Sequence, residues 1–215
     1  EGAEWFHFTG ITPALSDNCI DITRDALIAA KEAGVTISCD LNYRKKLWTT
    51  EKAGKVMSEL VKYCDVLIAN EEDAEKVFGI KAEKSDVTEG KLSDEGYKAV
   101  AKELYDRFNL KYAAITLRES YSASINGWSG MLYDGENYYK SKKYDIHIVD
   151  RVGGGDSFCG GLIYGLSSGM DNQSALEFAA AASCLKHTIE GDFNMMSVDE
   201  VMTLMKGDAS GRVQR

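Results

Sequence analysis

Short apolar runs alternate with longer amphipathic segments through the first half of the chain. The apolar runs predict buried strands at 5–8, 36–40, 66–69 and 112–117. The segments between them carry apolar residues at helical spacing and predict helices over 16–33, 50–63, 70–79 and 96–108. Strands that alternate with helices predict an α/β fold, in which a mostly parallel sheet has helices on both faces.

The pattern changes after the fourth strand, where glycines and an Asp-Gly pair separate shorter apolar runs. These runs predict edge hairpins with strands at 122–126, 131–133 and 138–140. Further helices are predicted over 156–167, over 172–189 and from Ser197, which opens a capping box. Residues 81–95 predict a surface insertion and residues 207–215 a frayed tail. Since no repeat or linker divides the chain, we expect a single domain over residues 1–215.

Composition narrows the choice of partners. The net charge of −9 and the pI near 4.9 argue against nucleic acid or an anionic membrane as a partner. No apolar run has the length of a membrane span and no signal peptide is visible, so we expect a cytoplasmic protein. The five cysteines show no metal-binding spacing, which predicts reduced thiols.

The glycine-rich stretch over residues 150–161 carries the clearest candidate chemistry. Gly153, Gly154 and Gly155 permit a tight turn, and the predicted helix behind them would point unpaired N–H groups at an anion such as phosphate. The stretch fits neither a P-loop nor a dinucleotide fingerprint. Asp156 would then be the base that accepts a proton from an attacking hydroxyl. The spacing alone equally allows a plain turn with Asp156 as a helix cap.

Three further polar segments follow predicted strands, at the edge where open α/β sheets bind ligands. Arg44, in the first, predicts either an anion clamp or part of a solvated basic loop. The second segment, residues 70–73, is fully explained as the start of a helix, with an Asn N-cap followed by acidic residues in the first turn. Arg118, in the third, would contact phosphates or pair with Glu119.

The stretch Asp-Arg-Val-Gly-Gly-Gly-Asp-Ser-Phe-Cys-Gly-Gly resembles the second signature of the ribokinase-like (PfkB) carbohydrate kinases. The resemblance implies a Rossmann-like three-layer sandwich, with Asp156 as catalytic base and Gly153, Gly154 and Gly155 as the anion hole. Two positions depart from the family pattern. Arg151 replaces the usual Thr in a region that contributes to the family's monovalent-cation site. Gly154 replaces the usual Ala, which we expect to be harmless to the turn.

Residues 40–48 resemble the Asp-x-Asn-x-Arg-x-x-Leu-Trp stretch of 2-keto-3-deoxygluconate kinases within this family, which implies that Arg44 and Asn42 bind the sugar acid. Residues 70–73 resemble the family's Asn-x-x-Glu motif, which implies a magnesium site. Residues 186–194 resemble a late nucleotide-side loop. The site residues that these resemblances imply are Asn70, Arg118, Gly153, Gly155 and Asn194 for nucleotide, Asp73 or Glu72 for magnesium, and Asp192 for substrate.

The resemblance implies ATP-dependent phosphorylation of a sugar-acid hydroxyl, with Mg²⁺, ATP and 2-keto-3-deoxygluconate as ligands. Another sugar such as fructose or ribose, a nucleoside, or an inactive nucleotide-binding fragment are the alternatives. The family's N-terminal strands, β lid and Gly-Gly substrate motif have no counterpart in this sequence. We therefore expect the carboxyl-terminal part of a kinase whose full-length parent can form homo-oligomers.

Overall fold

Seven strands, eight α-helices and one short 3₁₀ helix (Val61–Tyr63) lie in the residues that this computed structural model describes, 2–81 and 94–207. The strands are β1 (Trp5–Thr9), β2 (Thr36–Asp40), β3 (Val66–Ala69), β4 (Tyr112–Ser120), β5 (Ile125–Tyr133), β6 (Tyr138–Lys140) and β7 (Tyr144–His147). The helices are α1 (Ile11–Ala14), α2 (Asp17–Glu32), α3 (Thr50–Leu60), α4 (Glu71–Phe78), α5 (Asp94–Phe108), α6 (Gly154–Ser167), α7 (Asn172–Lys186) and α8 (Val198–Met205).

The strands form one mostly parallel sheet. Their order is β1-β2-β3-β4-β5-β6, and β7 pairs antiparallel with β5. The first four strands are parallel neighbours, with Cys39 of β2 beside both Phe8 of β1 and Leu67 of β3. All four residues of β3 are buried, as expected for a parallel strand covered on both faces. The prediction of an α/β fold is confirmed.

The chain divides into two compact units. Unit 1 comprises residues 1–116 and 132–138, and unit 2 comprises residues 117–131 and 139–215. In unit 1, the predicted helix from Ser16 is confirmed as α2, with the Ser16 hydroxyl accepting a hydrogen bond from the Cys19 N–H. The helical spacing of its apolar residues predicts Ile28 on its inner face, but 36% of the Ile28 surface is exposed. Thr23 is buried there instead, because its hydroxyl donates to the Cys19 carbonyl.

The predicted hairpin strands at 122–126 and 131–133 are wrong, because β5 runs unbroken from Ile125 to Tyr133. Its glycines are packing positions within a strand. A Cβ on Gly130 would lie 2.8 Å from the ring of Phe158, which is fully buried. The sequence pattern also missed α1 and β7, which are only four residues long each. Most of the predicted insertion at 81–95 and of the tail at 207–215 lies outside the described residues.

Unit 2 is built on the pairing of α6 with α7. Two glycines of α6 allow it, since a Cβ on Gly161 would lie 2.8 Å from the Cα of Ala179 and one on Gly165 would lie 2.7 Å from the Cα of Ala175. Helix α8 begins with the predicted capping box at Ser197 and packs Val201 against Phe178 of α7. No helix within the described residues is long and apolar enough to cross a membrane. All five cysteines are free thiols.

The packing of α6 on α7 predicts opposite effects for two adjacent glycines. Gly161→Ala should lower the free energy of unfolding by about 1–3 kcal/mol, because the new methyl group overpacks the helix interface. Gly160→Ala meets no atom within 4 Å and should raise it by about 0.5–1 kcal/mol through helix propensity. Urea unfolding of both variants measures the difference. Equal effects of the two substitutions would contradict the packing argument.

Candidate functional site

The N-terminus of α6 in unit 2 has free backbone donors. Its N-cap is Gly153, which has φ of 79° and no side chain to accept a hydrogen bond. Among the described residues, no acceptor binds the N–H groups of Gly155 and Asp156. Two unpaired N–H groups at the positive end of a helix make a site for an anion.

Five other helices satisfy their first N–H groups with a side-chain oxygen of the N-cap residue. These residues are Ser16 of α2, Thr49 of α3, Asn70 of α4, Asp171 of α7 and Ser197 of α8. Gly153 has no side-chain oxygen with which to cap α6 in the same way. The first N–H groups of α6 are therefore unpaired, whereas the corresponding N–H groups of those five helices are capped.

Packing explains why glycine occupies both positions 153 and 154. A Cβ on Gly153 would collide with the backbone carbonyl of Asp192, and its left-handed φ favours glycine in any case. A Cβ on Gly154 would collide with the imidazole of His187. Gly154, which we expect to be harmless to the turn, has a packing reason as well, because the buried His187 ring takes the space that an alanine methyl group would need.

Asp150 fixes the loop in front of α6. One of its carboxylate oxygens accepts the Val152 N–H at 3.0 Å and the other accepts the Gly191 N–H at 3.0 Å. These hydrogen bonds, with a smaller contribution from the charge of Lys186, hold the pKa of Asp150 below its usual range. The carboxylate thus ties the glycine loop to the segment that follows α7.

A cavity of about 370 Å³ in unit 2 adjoins this helix end. Gly153 and Asp156 line it together with Asp192 and Asn194, so four predicted site residues share one cavity. Asp156 is exposed in the first turn of α6. The Asn194 amide donates to the Ser157 hydroxyl at 2.6 Å, and its oxygen accepts the Met196 N–H. Asn194 therefore fixes the wall of the cavity through its side chain.

Arg118 lies on β4 with its side chain exposed. Its neighbour Glu119 binds the ammonium of Lys143 and the hydroxyl of Tyr121, and no ion pair joins Glu119 to Arg118 within the described residues. The pairing considered from the sequence is therefore not formed. The guanidinium faces no carboxylate within 4 Å in the part of the chain that the structure describes.

The strand ends of unit 1 bring a second group of predicted residues together. Asn42 follows β2 and has φ of 39°, a left-handed conformation that asparagine adopts more readily than most residues. Its N–H donates to the Asp40 carboxylate at 3.2 Å, and its amide donates to the Thr9 hydroxyl at 3.1 Å. Arg44, two residues on, is exposed, and its guanidinium donates to the Tyr43 carbonyl at 3.2 Å. Its guanidinium is thus available to an anionic ligand.

Asp73 is the unusual carboxyl group of unit 1, since only 6% of its surface is exposed. The pKa of Asp73 is raised to about 7, chiefly by burial and next by the negative charge of Asp40, while the positive charge of Arg44 acts in the opposite direction. Glu72 beside it is exposed. The Asn70 side chain accepts the Asp73 N–H at 2.7 Å, as its role as N-cap of α4 requires.

These carboxyl groups fit a magnesium ion only as a partial ligand set. Within the described residues, no three acidic, His or Cys side chains converge to hold a metal by themselves. Magnesium commonly takes one or two protein carboxylates and completes its shell with water and phosphate. A buried carboxyl group near other acids is charged only at a cost that a cation would offset. Asp73 and Glu72 therefore suit a magnesium ion that arrives with phosphates.

Two supporting residues escaped the sequence analysis. The Ser183 hydroxyl donates to the Gly154 carbonyl at 2.7 Å and so joins α7 to the start of α6. Lys186 is fully buried at the end of α7. The sequence does carry a signal for Lys186, since it is a charged residue at a buried position of an alanine-rich helix. A serine among alanines gives no comparable signal.

The sequence of this chain matches a known protein family and several named relatives. The family model described as pfkB family carbohydrate kinase matches residues 1–197. The chain is 31% identical to a 2-dehydro-3-deoxygalactonokinase of Haloferax volcanii over 98% of its own length and 60% of the relative. It is 28% identical to fructokinase-2 of Solanum lycopersicum over 96% of its length and 59% of that relative.

A crystal structure of 2-dehydro-3-deoxygluconokinase from Thermotoga maritima matches with a TM-score of 0.90 and 54% identity. The match covers 96% of this chain and 60% of that one. The chain thus spans about 60% of the length of these relatives. Since the family model covers most of its residues, the chain belongs to the pfkB family of carbohydrate kinases.

Proposed function

We propose that the complete protein is an ATP-dependent sugar kinase and that its substrate is the sugar acid 2-keto-3-deoxygluconate. The uncapped N-terminus of α6, with Asp156 in its first turn, is the observation that carries this proposal. Phosphoryl transfer needs donors at the phosphoryl oxygens and a base at the attacking hydroxyl. This segment supplies both types of group within four residues.

In the proposed reaction, Asp156 accepts the proton of the substrate's terminal hydroxyl. The hydroxyl oxygen bonds to the γ-phosphorus of ATP, the bond from that phosphorus to the β–γ bridging oxygen breaks, and ADP leaves. The N–H groups of Gly155 and Asp156 donate to the phosphoryl oxygens as charge develops there. Asp73 and Glu72 would hold magnesium, which neutralises phosphate charge when bound. The cavity beside Gly153 and Asn194 is the proposed nucleotide site.

The choice of a sugar acid rests on Arg44. A substrate carboxylate removed from water needs a cationic partner, and a chain with net charge −9 does not provide one through its overall field. The exposed guanidinium of Arg44 forms no ion pair within 4 Å among the described residues, and the side chain of Asn42 nearby is held by a hydrogen bond to Thr9. The Thermotoga maritima relative, named for activity on 2-dehydro-3-deoxygluconate, supports the same choice.

Fructose is the second candidate substrate, because relatives named fructokinases match almost the whole chain. A neutral sugar would use the same phosphoryl chemistry at Asp156. It would have no carboxylate for Arg44 to bind. The two substrates therefore differ in their dependence on that residue.

The glycine loop predicts nucleotide affinity. Gly153→Ala should weaken Mg-ATP binding about tenfold or more, because the methyl group collides with the Asp192 carbonyl and displaces the loop. Gly169→Ala is the matched control, since Gly169 has the same φ of 79° but no atom within 4 Å of a Cβ. Calorimetric titration with Mg-ATP measures both variants. Equal affinities in the two variants would contradict the proposed nucleotide site.

The proposed base predicts a separation of binding from chemistry. In the complete protein, Asp156→Asn should lower kcat by about 10²–10⁴-fold, because the amide cannot accept the hydroxyl proton. Mg-ATP affinity should change by less than about threefold, since the backbone donors remain. Asp199→Asn, in the first turn of α8, is the control for charge removal at a helix start. Turnover close to wild type in Asp156→Asn would remove this residue as the base.

Arg44 predicts substrate-dependent effects. Arg44→Ala in the complete protein should lower kcat/KM for 2-keto-3-deoxygluconate about 100-fold or more, and that for fructose by less than about threefold. Lys45→Ala removes a neighbouring exposed charge and should alter neither value. Steady-state kinetics on both sugars provide the measurement. An equal loss on both sugars would argue against a carboxylate-binding role.

A further inference from the structure

Thr9 and Asn42 form a pair of polar side chains at the carboxyl ends of neighbouring strands in unit 1. Thr9 is the last residue of β1 and lies in register with Asp40, the last residue of β2. Asn42 lies two residues beyond Asp40, and its amide donates to the Thr9 hydroxyl at 3.1 Å. Open α/β sheets bind ligands at these strand ends. Thr9 belongs to none of the motifs that the sequence carries.

The backbone holds this pair in place. Asn42 has φ of 39°, and its N–H donates to the Asp40 carboxylate at 3.2 Å. The Gly10 N–H donates to the Asp40 carbonyl at 2.8 Å, and a Cβ on Gly10 would collide with the carbonyl of Leu41. The ends of β1 and β2 therefore pack so closely that only glycine fits at position 10, and this packing brings Thr9 to Asn42.

Each side chain of the pair retains unused hydrogen-bonding capacity. The Asn42 amide has two N–H donors and an oxygen that accepts. One N–H is bound to Thr9, and the oxygen Oδ1 receives no donor from the described residues. The Thr9 hydroxyl accepts from Asn42 and from the Ile11 N–H at 3.4 Å, while its own O–H finds no acceptor in that part of the chain. The pair thus offers an acceptor on one side chain and a donor on the other.

A hydroxyl group matches this pair, because it donates one hydrogen bond and accepts others. An ionised carboxylate or phosphate only accepts, so it would leave Asn42 Oδ1 unpaired. Arg44, two residues after Asn42, is exposed and has donors only, which suits such an anion instead. The adjoining residues therefore suit the two kinds of polar group that a sugar acid carries, a carboxylate and a hydroxyl.

We propose that Thr9 and Asn42 form a subsite for one hydroxyl group of the sugar acid, which donates to Asn42 Oδ1 and accepts from the Thr9 O–H. Thr9 also orients the Asn42 amide, because their hydrogen bond engages Nδ2 and leaves Oδ1 for the substrate. Side chains that are fixed beforehand lose little freedom on binding. This inference rests on the proposed function, since it concerns how that function's substrate is recognised.

Calorimetric titration of the complete protein with 2-keto-3-deoxygluconate, in the absence of ATP, tests the subsite directly. Thr9→Val keeps the β-branched shape and removes the hydroxyl, so it should weaken sugar binding about tenfold or more. Thr9→Ser keeps the hydroxyl and should bind within about threefold of wild type. Thr36→Val makes the same exchange at the other end of β2 and is the matched control. An unchanged affinity in Thr9→Val would overturn the proposal.

Deoxy analogues of the sugar separate hydroxyl recognition from a purely structural role of Thr9. The substrate carries hydroxyls on C4 and C5 besides the terminal one that reacts. Thr9→Val should weaken the binding of one of the 4-deoxy and 5-deoxy analogues as it weakens that of the parent sugar. It should change the affinity for the other analogue by less than about threefold, because that analogue lacks the bound hydroxyl. An equal loss on the parent sugar and both analogues would show a structural role only and would exclude the subsite.

A double-mutant cycle tests whether the two side chains act as a unit. Asn42→Gly removes the amide and favours the left-handed backbone that Asn42 adopts. If both side chains bind the same hydroxyl, the double variant Thr9→Val with Asn42→Gly should lose no more than about threefold in affinity beyond the weaker of the two single variants. Losses that multiply would contradict a shared subsite.

The same titrations distinguish failure of this inference from failure of the kinase proposal. If the wild-type protein binds and phosphorylates the sugar while Thr9→Val matches it, the subsite is wrong and the kinase proposal stands. If the wild-type protein binds the sugar without phosphorylating it, the kinase proposal fails, and Thr9→Val still decides the subsite. If it binds no sugar acid, the subsite is wrong, whereas titration with Mg-ATP still tests the nucleotide site.

Discussion

The unpaired N–H groups at the start of α6 are the constraint on which unit 2 depends. A helix normally caps its first donors with a side chain, as five other helices of this chain do. Without a capping side chain, the helix loses about 0.5–2 kcal/mol of stability. A bound anion offsets this loss, because it accepts hydrogen bonds from the N–H groups and its charge is stabilised by the helix dipole. Gly153 imposes this openness because it has no side chain and adopts a left-handed φ.

An open helix end is useful only if its loop is held still. The segment at and after the end of α7 does this through several independent contacts, including the Ser183 hydroxyl on Gly154 and the Gly191 N–H on Asp150. The Asp192 carbonyl and the His187 ring occupy the spaces where side chains at positions 153 and 154 would lie. Sequence changes in the loop are therefore coupled to that segment, and Gly154 with His187 is the clearest pair.

The sequence predicted the parallel strands well, because a strand buried on both faces is a continuous apolar run. It failed on β5, where Gly127 and Gly130 look like turn residues but lie within a strand. The positions of the Phe158 ring and the Leu176 side chain explain Gly130, and no local pattern contains that information. In the site, Gly153 and Asp156 could be predicted from spacing and resemblance. Ser183 and Lys186 could not be assigned roles, because these depend on contacts between distant segments.

The central claim is that the N–H groups of Gly155 and Asp156 form the phosphate site, and amide NMR tests it most directly. In a titration with Mg-ADP, the account predicts saturable shifts that are largest at these two amides, with smaller shifts around Asp192 and Asn194. It also predicts little change at the capped starts of α7 and α8, because their donors are already bound by Asp171 and Ser197. Saturable shifts elsewhere that leave Gly155 and Asp156 unchanged would contradict the claim.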